Sequence, residues 1–180
     1  MLLKATESVL IEIDLQARLV PAVADHDRVV ANAAILMRAA RRLDVPVLLT
    51  EQYPKGLGRL VPEIARLAPD GATVEKLCFA APAEQAFRER LEALDRGQVI
   101  VVGMEAHVCV LQAALMLVEH GYETCVVADA TGSRDPANRE AALSRMAANG
   151  VEVATTEMVV FEWLQVAGTD AFRELSKLIK

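Results

Sequence analysis

Four side chains that could take part in acid, base or nucleophilic chemistry lie at or just beyond the ends of short apolar runs. Asp14, Lys76 and Asp129 each end such a run, and Cys109 follows one by a few residues. If the runs are parallel strands, their carboxyl ends meet at one edge of the sheet, where open α/β sheets bind ligands. A polar residue also commonly ends a strand because the chain returns to solvent there. The hypothesis of a shared site therefore depends on all four positions together.

Cys109 is the candidate nucleophile. It lies in the segment GMEAHVCVLQAAL, where a glycine-ended strand candidate leads through a short turn into a helix. The free N–H groups and the dipole at a helix start favour a thiolate, and an ammonium such as Lys76 would favour it further, so we expect a lowered thiol pKa. Asp14 could accept the thiol proton and pass it to a leaving group. The alternative is an inert, buried thiol, since free cysteine is among the most buried residue types.

The histidines suggest a second possible base but no metal site. His107 stands two residues before Cys109 and could act as the base of a Cys/His pair, or it could point to substrate or solvent. His26 and His120 are predicted to lie on the surface. The spacing of the three matches no Cys/His ligand motif, and the chain has no glycine-rich phosphate-binding loop. We therefore expect neither a metal nor a nucleotide cofactor.

The elements that would position these residues follow a repeating pattern of a short β-branched run, a break, and a longer segment with apolar residues at helical spacing. The strand candidates are Val9–Asp14, Val45–Thr50, Thr73–Lys76, Gln98–Gly103, Thr124–Asp129 and Val151–Thr155. Helices are predicted over 28–43, 60–67, 83–95, 108–120, 137–149, 157–166 and 169–179. Because crossover connections are right-handed, the pattern predicts a three-layer α/β/α fold with a Rossmann-like, doubly wound, six-stranded parallel sheet and helices on both faces. The longest irregular segment, 51–59, is either a connector or part of a binding site.

Length and composition limit the possible partners and location. A chain of 180 residues fits one domain over 1–180. The net charge of −6, without a basic cluster, argues against a nucleic-acid partner. No apolar run approaches the roughly 18 residues that cross a membrane. Cys78, Cys109 and Cys125 form no CxxC pair, and the N-terminal residues are interpreted as a strand and not as a signal peptide, so we expect reduced thiols and a cytoplasmic protein.

The sequence resembles the isochorismatase-like cysteine hydrolases, and in particular the subgroup of isochorismatase domain-containing proteins. The resemblance runs over roughly residues 7–167. It rests on the segments IEIDLQ, TEQYPKGLG, the EK that ends the third strand candidate, VVGMEAHVCVLQAAL and VVADATGSR. It implies a catalytic triad in which Asp14 moves protons, Lys76 stabilises the thiolate and the transition state, and Cys109 attacks an amide-like carbonyl to give an acyl-thioester.

The same resemblance implies further site residues. A cis peptide would fall at Met104–Glu105, and the N–H groups of Glu105 and Cys109 would form an oxyanion hole. The pocket residues would be Gln16, Tyr53, Phe79 and His107, which are equally well interpreted as supporting or surface residues. Members of the family usually form dimers or larger oligomers. The segment TTEMVVFEWL, with Phe161 and Trp163, could supply a contact or could pack on its own sheet.

Two departures from the family's best-known members narrow the expected reaction. Nicotinamidases of this superfamily carry an Asp-x-His metal motif near the second strand, whereas this chain has EQYPKGLG there, which argues against nicotinamide and zinc. Isochorismatase itself typically lacks the nucleophilic cysteine, so Cys109 favours a small amide or related carbonyl substrate. The alternatives are a non-catalytic scaffold that keeps the fold, and an ether hydrolase that acts without the thiol.

Overall fold

The computed structural model describes residues 1–179 and contains one six-stranded parallel sheet within them. The strand order is β3-β2-β1-β4-β5-β6, and every neighbouring pair runs parallel. The strands are β1 Ser8–Ile13, β2 Val47–Gln52, β3 Thr73–Lys76, β4 Gln98–Met104, β5 Glu123–Gly132 and β6 Glu152–Ala154. This is the doubly wound, Rossmann-like order, and the predicted fold class is confirmed.

Helices cover both faces of the sheet. They are α1 His26–Arg42, α2 Pro54–Leu57, α3 Pro62–Ala65, α4 Gln85–Ala93, α5 Leu111–Glu119, α6 Pro136–Ala148, α7 Thr156–Leu164 and α8 Asp170–Leu175, with 3-10 turns at Val20–Ala22 and Ala81–Ala83. One apolar core joins β1 to α1, α7 and α8, and a second joins it to α4, α5 and α6. Side chains alternate along β1 between the two cores, with Leu10 in the first and Ile11 in the second.

Several element ends differ from the sequence predictions. The second strand begins at Val47 and continues to Gln52, and the fifth continues to Gly132, so both run further toward the carboxyl edge than predicted. The helix predicted over 60–67 shortens to Pro62–Ala65 because Pro62 cannot continue a preceding turn but can begin a new one. The 51–59 segment is not fully irregular, since α2 forms within it.

The segment TTEMVVFEWL forms α7 and is partly buried against its own sheet. Trp163 is only 4% exposed, and its indole N–H donates to Ser8 Oγ at 3.0 Å. Phe161 is 42% exposed and lies with its ring centroid 6.4 Å from that of Phe172 on α8. Trp163 is therefore a core residue of the chain, and Phe161 is the aromatic side chain of this helix that remains available for an external contact.

The centre of the sheet brings β1 and β4 side by side, and their connections leave in opposite directions along the sheet. In open α/β sheets, ligands bind at such a switch point, outside the carboxyl ends of the two strands. Gly103, which pairs with Ile13, has a φ of +117°, and a Cβ there would overlap the backbone of Ile13. Glycine is thus required for β1 and β4 to approach each other near their carboxyl ends.

Candidate active site

Asp14 lies immediately beyond β1, in a left-handed backbone conformation with a φ of +56°. Its backbone N–H donates to the carbonyl of Thr50 at 3.3 Å, and its carbonyl accepts from the N–H of Gln16 at 2.8 Å. The side chain is fully buried, and its Oδ1 accepts a hydrogen bond from the hydroxyl of Thr50 at 2.7 Å. The carboxylate is therefore held in one direction by both its backbone and a neighbouring strand.

Lys76, the last residue of β3, forms a buried ion pair with Asp14. Its Nζ lies 2.7 Å from Asp14 Oδ2, and neither side chain is exposed. The ammonium also donates to Gln52 Oε1 at 2.7 Å and to the carbonyl of Phe79 at 3.2 Å. These three acceptors satisfy the three donors of the ammonium, which is the condition for a charge to remain stable in a protein interior.

Cys109 lies in a π-helical turn, Ala106–Val110, which continues directly into α5. The carbonyl of Glu105 accepts the N–H groups of Val108 and Val110, the two neighbours of Cys109, at 3.1 and 3.2 Å. The thiol is within range of both Asp14 and Lys76, since both act on its pKa. Helical π turns of this kind occur frequently at functional sites because they turn one side chain out of the regular helical register.

The prediction that the pKa of the Cys109 thiol is lowered is wrong. Burial raises the pKa of the Cys109 thiol to about 12, and the Asp14 carboxylate adds to the rise, while the Lys76 ammonium opposes it. Only 6% of the residue is exposed, so the thiolate would lose most of its hydration. The charge of Lys76 is already matched by Asp14, and the helix start alone does not compensate for burial. At neutral pH the resting side chain is therefore a thiol.

The turn before Cys109 contains a cis peptide bond between Met104 and Glu105. The Glu105 side chain is 8% exposed, and its Oε2 accepts from both the N–H and the Nε of Arg134, at 2.9 and 3.0 Å. These contacts join the turn before Cys109 to the chain that follows β5.

Of the expected pocket residues, Gln16 is buried and its amide is occupied by the backbone. Its Nε2 donates to the carbonyls of Gln52 and Gly58, at 3.0 and 2.7 Å, and its Oε1 accepts the N–H of Gln52 at 2.8 Å. These bonds tie the end of β2 to the 53–58 segment. Gln16 therefore supports the loop, and its polar atoms are not available to a substrate.

Tyr53, Phe79 and His107 lie nearer to solvent. Tyr53 is 51% exposed and directly follows β2, whose Thr50 and Gln52 contact the buried ion pair, and Phe79 is 54% exposed and lies three residues after Lys76. His107 is half-buried, and its Nδ1 lies 3.0 Å from the hydroxyl of Ser133, which is itself buried. His107 is held by Ser133 within the turn that carries Cys109.

Asp129 does not join the group. Its Oδ1 accepts hydrogen bonds from the N–H and the hydroxyl of Thr156, at 2.8 and 2.9 Å, at the start of α7. The sequence interpretation missed Thr50 and Gln52, which contact the ion pair directly. A strand predicted to end at Thr50 gave no reason to place Gln52 in it, and only the observed register of β2 against β3 brings both side chains to the edge.

No group of three or more His, Cys, Asp and Glu side chains within residues 1–179 is arranged to hold a metal ion. Within the same residues, none of the helices has the length and apolar character needed to cross a lipid bilayer.

Comparison with known proteins gives a consistent set of relatives. Residues 8–158 match the isochorismatase domain family. Isochorismatase domain-containing protein 2A of Mus musculus is 38% identical over 96% of this chain and 82% of its own length, and the Danio rerio isochorismatase domain-containing protein 2 is 40% identical over 96% and 86%.

Solved structures share the fold over nearly the whole chain. The MAR1 ribonuclease of Caenorhabditis elegans has a TM-score of 0.93 and 32% identity over 99% of this chain and 92% of its own. YcaC of Escherichia coli, described as an octameric hydrolase of unknown specificity, has a TM-score of 0.92 and 27% identity over 98% and 89%. YcaC of Pseudomonas aeruginosa, solved with hexane-2,5-diol and covalent acrylamide, has a TM-score of 0.89 and 27% identity over 98% and 95%.

Proposed function

The chain belongs to the isochorismatase family, whose members support a hydrolase role, and from this premise we propose that it is a metal-independent cysteine hydrolase of small amides or related carbonyl compounds. The observation that carries the proposal is the buried Asp14–Lys76 ion pair beside the thiol of Cys109. A buried ion pair contributes little to stability, because the free energy of removing both charges from water offsets their attraction. The position of this pair beside a candidate nucleophile therefore favours a catalytic role.

In the proposed first step, the substrate carbonyl enters above Cys109 and the Sγ proton passes to the Asp14 carboxylate as the C–S bond forms. The negative charge that develops on the carbonyl oxygen is bound by the backbone N–H groups of Glu105 and Cys109, in the oxyanion hole. When the tetrahedral intermediate collapses, the C–N bond breaks and the leaving amine takes the proton from Asp14. The product is a free amine, and an acyl-thioester remains on Cys109.

In the second step, water attacks the acyl-thioester and transfers a proton to Asp14. The C–S bond breaks, the carboxylic acid leaves, and the proton returns from Asp14 to the thiolate. Lys76 keeps its proton throughout and offsets whichever negative charge is present, on Asp14 before attack or on sulfur and the oxyanion during it. The raised pKa of the Cys109 thiol fits this order of events, because a largely protonated nucleophile needs a base at the moment of attack.

The covalent acrylamide on the Pseudomonas aeruginosa YcaC supports a reactive nucleophile, because acrylamide is an electrophile that adds to a nucleophile at its alkene carbon while its amide stays intact. The Escherichia coli YcaC supports hydrolysis without indicating a substrate. The presence of Asp14, Lys76 and Cys109 in one buried group argues against a scaffold that has lost its chemistry, and the thiol itself argues against ether hydrolysis without a nucleophile.

RNA cleavage is a second candidate because the Caenorhabditis elegans neighbour is called a ribonuclease. The net charge of −6 opposes it, since binding a phosphate backbone requires clustered Lys and Arg side chains. We therefore favour a small uncharged carbonyl substrate and no nucleic-acid partner. The three free cysteines fit a reducing, cytoplasmic location.

We also propose that the chain forms a homo-oligomer, as the Escherichia coli neighbour does. Apolar side chains at the β6 and α7 edge, including Val153, Met158 and Phe161, are 39 to 48% exposed and could be covered by a second copy. Sedimentation velocity is expected to give a mass of at least twice that of one chain. Phe161→Glu should lower that mass, and Arg41→Glu, on the exposed side of α1, should not. A wild-type protein that sediments as a monomer would contradict the proposal.

The decisive experiment for the reaction is capture of the acyl-thioester. A Cys78→Ser protein, which lacks the exposed thiol, is mixed with p-nitrophenyl acetate, quenched in acid and digested for peptide mass spectrometry. We expect a burst of p-nitrophenol and an acetyl group on the Cys109 peptide, in the presence or absence of a chelator, and no RNA cleavage. If no peptide is acetylated and RNA is cleaved, the proposal is overturned in favour of a ribonuclease. If no peptide is acetylated and no substrate is turned over, it is overturned in favour of a scaffold.

A further inference from the structure

Glu12 is a buried carboxyl group in the central strand of the sheet, and no part of the proposed reaction uses it. The residue is fully buried in β1, with Leu49 of β2 and Val102 of β4 as its strand neighbours. Its Oε1 accepts the backbone N–H of Leu15 at 3.0 Å. Its Oε2 has no hydrogen-bond partner among residues 1–179. A carboxylate in such a place would be costly to keep, since buried charges are normally paired.

The charged groups around Glu12 also disfavour a negative charge there. Burial raises the pKa of the Glu12 carboxyl well above its ordinary value, and the nearby carboxylates of Asp14 and Glu51 add to the rise, while the Leu15 N–H opposes it. The cation nearest to Glu51, Arg59, is paired with the Glu51 carboxylate at 2.7 Å, and Glu12 makes no ion pair with it. The buried face of α1, which packs on the same side of the sheet, is entirely apolar. These surroundings therefore favour the uncharged, protonated form of the Glu12 carboxyl.

The position of Glu12 is related to the direction of Asp14. Side chains alternate along β1, so an uninterrupted strand would place Asp14 on the same face as Leu10 and Glu12, which is the face covered by α1. Thr50, Lys76 and Cys109, which Asp14 meets, belong to the opposite face or its edge. The left-handed conformation of Asp14 makes this change of direction. It leaves the N–H of Leu15 pointing back into the core, where the Glu12 carboxyl accepts it.

We propose that Glu12 is a positioning residue for Asp14: its buried carboxyl caps the N–H of Leu15, holds the left-handed turn, and so directs the Asp14 carboxylate to Cys109. The proposal rests on the proposed function, in which Asp14 exchanges a proton with that thiol. It requires the carbonyl oxygen of Glu12 and not its charge. A glutamine at position 12 would keep that oxygen, and a methionine of similar length would lose it.

The test compares Glu12→Met with Glu12→Gln by alkylation of Cys109, which needs no knowledge of the substrate. Iodoacetamide labelling is followed from pH 6 to pH 11 with peptide-level detection, in both variants, in the wild type and in Asp14→Asn. Because Asp14 raises the pKa of the Cys109 thiol, a misdirected Asp14 should lower that pKa. In Glu12→Met, Cys109 is therefore expected to be alkylated about tenfold faster at pH 8 than in the wild type, at a rate closer to that of Asp14→Asn. In Glu12→Gln, the alkylation rate of Cys109 should stay within about twofold of the wild-type rate.

Cys125 is an internal control for general loosening of the fold, because it is 1% exposed on β5 and burial raises the pKa of its thiol to about 12 as well. A merely structural role for Glu12 would accelerate the labelling of both cysteines in Glu12→Met, and this result would overturn the proposal. Equal labelling of Cys109 in the wild type and Glu12→Met would also overturn it, provided that Asp14→Asn differs. If Asp14→Asn itself matches the wild type, the proposed function fails and the role of Glu12 fails with it.

The neutral state of Glu12 has a separate readout in stability. Its pKa is raised in the folded protein, so above the unfolded pKa the unfolded chain has lost the proton that the folded chain keeps. The free energy of unfolding contributed by this group should therefore fall as pH rises from about 4.5 toward the folded pKa. Urea unfolding of Glu12→Gln should lack that fall. An identical pH dependence in the wild type and Glu12→Gln would show that Glu12 is not held neutral, and would overturn this part of the proposal.

Discussion

Replacing Cys109 by alanine is expected to lower hydrolysis of p-nitrophenyl acetate by at least about 10⁴-fold, because removal of a nucleophile leaves only binding and oxyanion stabilisation. The side chain is small and lies at the edge of a well-packed core, so the fold should remain. Steady-state kinetics in the Cys78→Ser background measures the loss, and thermal unfolding checks the fold.

Cys125→Ala is the matched control for that loss. Cys125 is also free, buried and protonated, but it belongs to the core on the α1 side of the sheet. Its replacement should cost about 1 kcal/mol of stability or less and leave turnover unchanged. Equal activity in Cys109→Ala and Cys125→Ala would show that the reaction does not use a thiol and would favour the ether hydrolase or scaffold interpretation.

Replacing Asp14 by asparagine is expected to have opposite effects on two measurements. Turnover should fall by roughly 10²- to 10⁴-fold, because no group remains to exchange a proton with the thiol and the leaving amine. Alkylation of Cys109 at pH 8 should become at least about tenfold faster, because loss of the carboxylate removes a cause of the raised thiol pKa while Lys76 remains. A role for Asp14 limited to holding Lys76 would lower both rates together.

Lys76→Met is the complementary variant, and it should slow both substrate turnover and the alkylation of Cys109. Its loss removes the cation that lowers the pKa of the Cys109 thiol, and leaves the buried Asp14 carboxylate with the hydroxyl of Thr50. Breaking a buried pair by removing one member also costs about 3–5 kcal/mol of stability, so each variant is compared at a temperature well below its own unfolding midpoint. Faster alkylation in Lys76→Met than in the wild type would contradict the assigned charges.

The sequence alone was sufficient to predict the fold class and to place Asp14, Lys76 and Cys109 at one edge of the sheet. Both predictions depend on local sequence patterns. Strands of β-branched residues alternate with helical segments, and polar residues that end parallel strands must meet at one edge of the sheet. The sequence was insufficient where an outcome depends on burial and on contacts between distant residues. The pKa of Cys109 is raised and not lowered, because a helix start is visible in sequence but the desolvation of the thiol is not.

Gln16 and Glu12 illustrate the same limit. Gln16 occupies a family-like segment beside Asp14, yet its amide is used by the backbone of Gln52 and Gly58, which lie more than thirty residues away in sequence. Glu12 looks like one polar residue in an apolar run, and only the packing of α1 and the turn at Asp14 indicate a purpose for it. Each role depends on tertiary contacts that no local periodicity encodes.

The burial of the Cys109 thiol also bears on how the protein withstands oxidants. Peroxides attack thiolates and spare thiols, so cysteines with a raised pKa and little exposure are the slowest to become sulfenic acids. Cys109 combines a pKa of about 12 with 6% exposure. A nucleophile that is deprotonated only while substrate is bound would therefore keep its activity through oxidative stress that inactivates hydrolases whose thiolate is permanently formed.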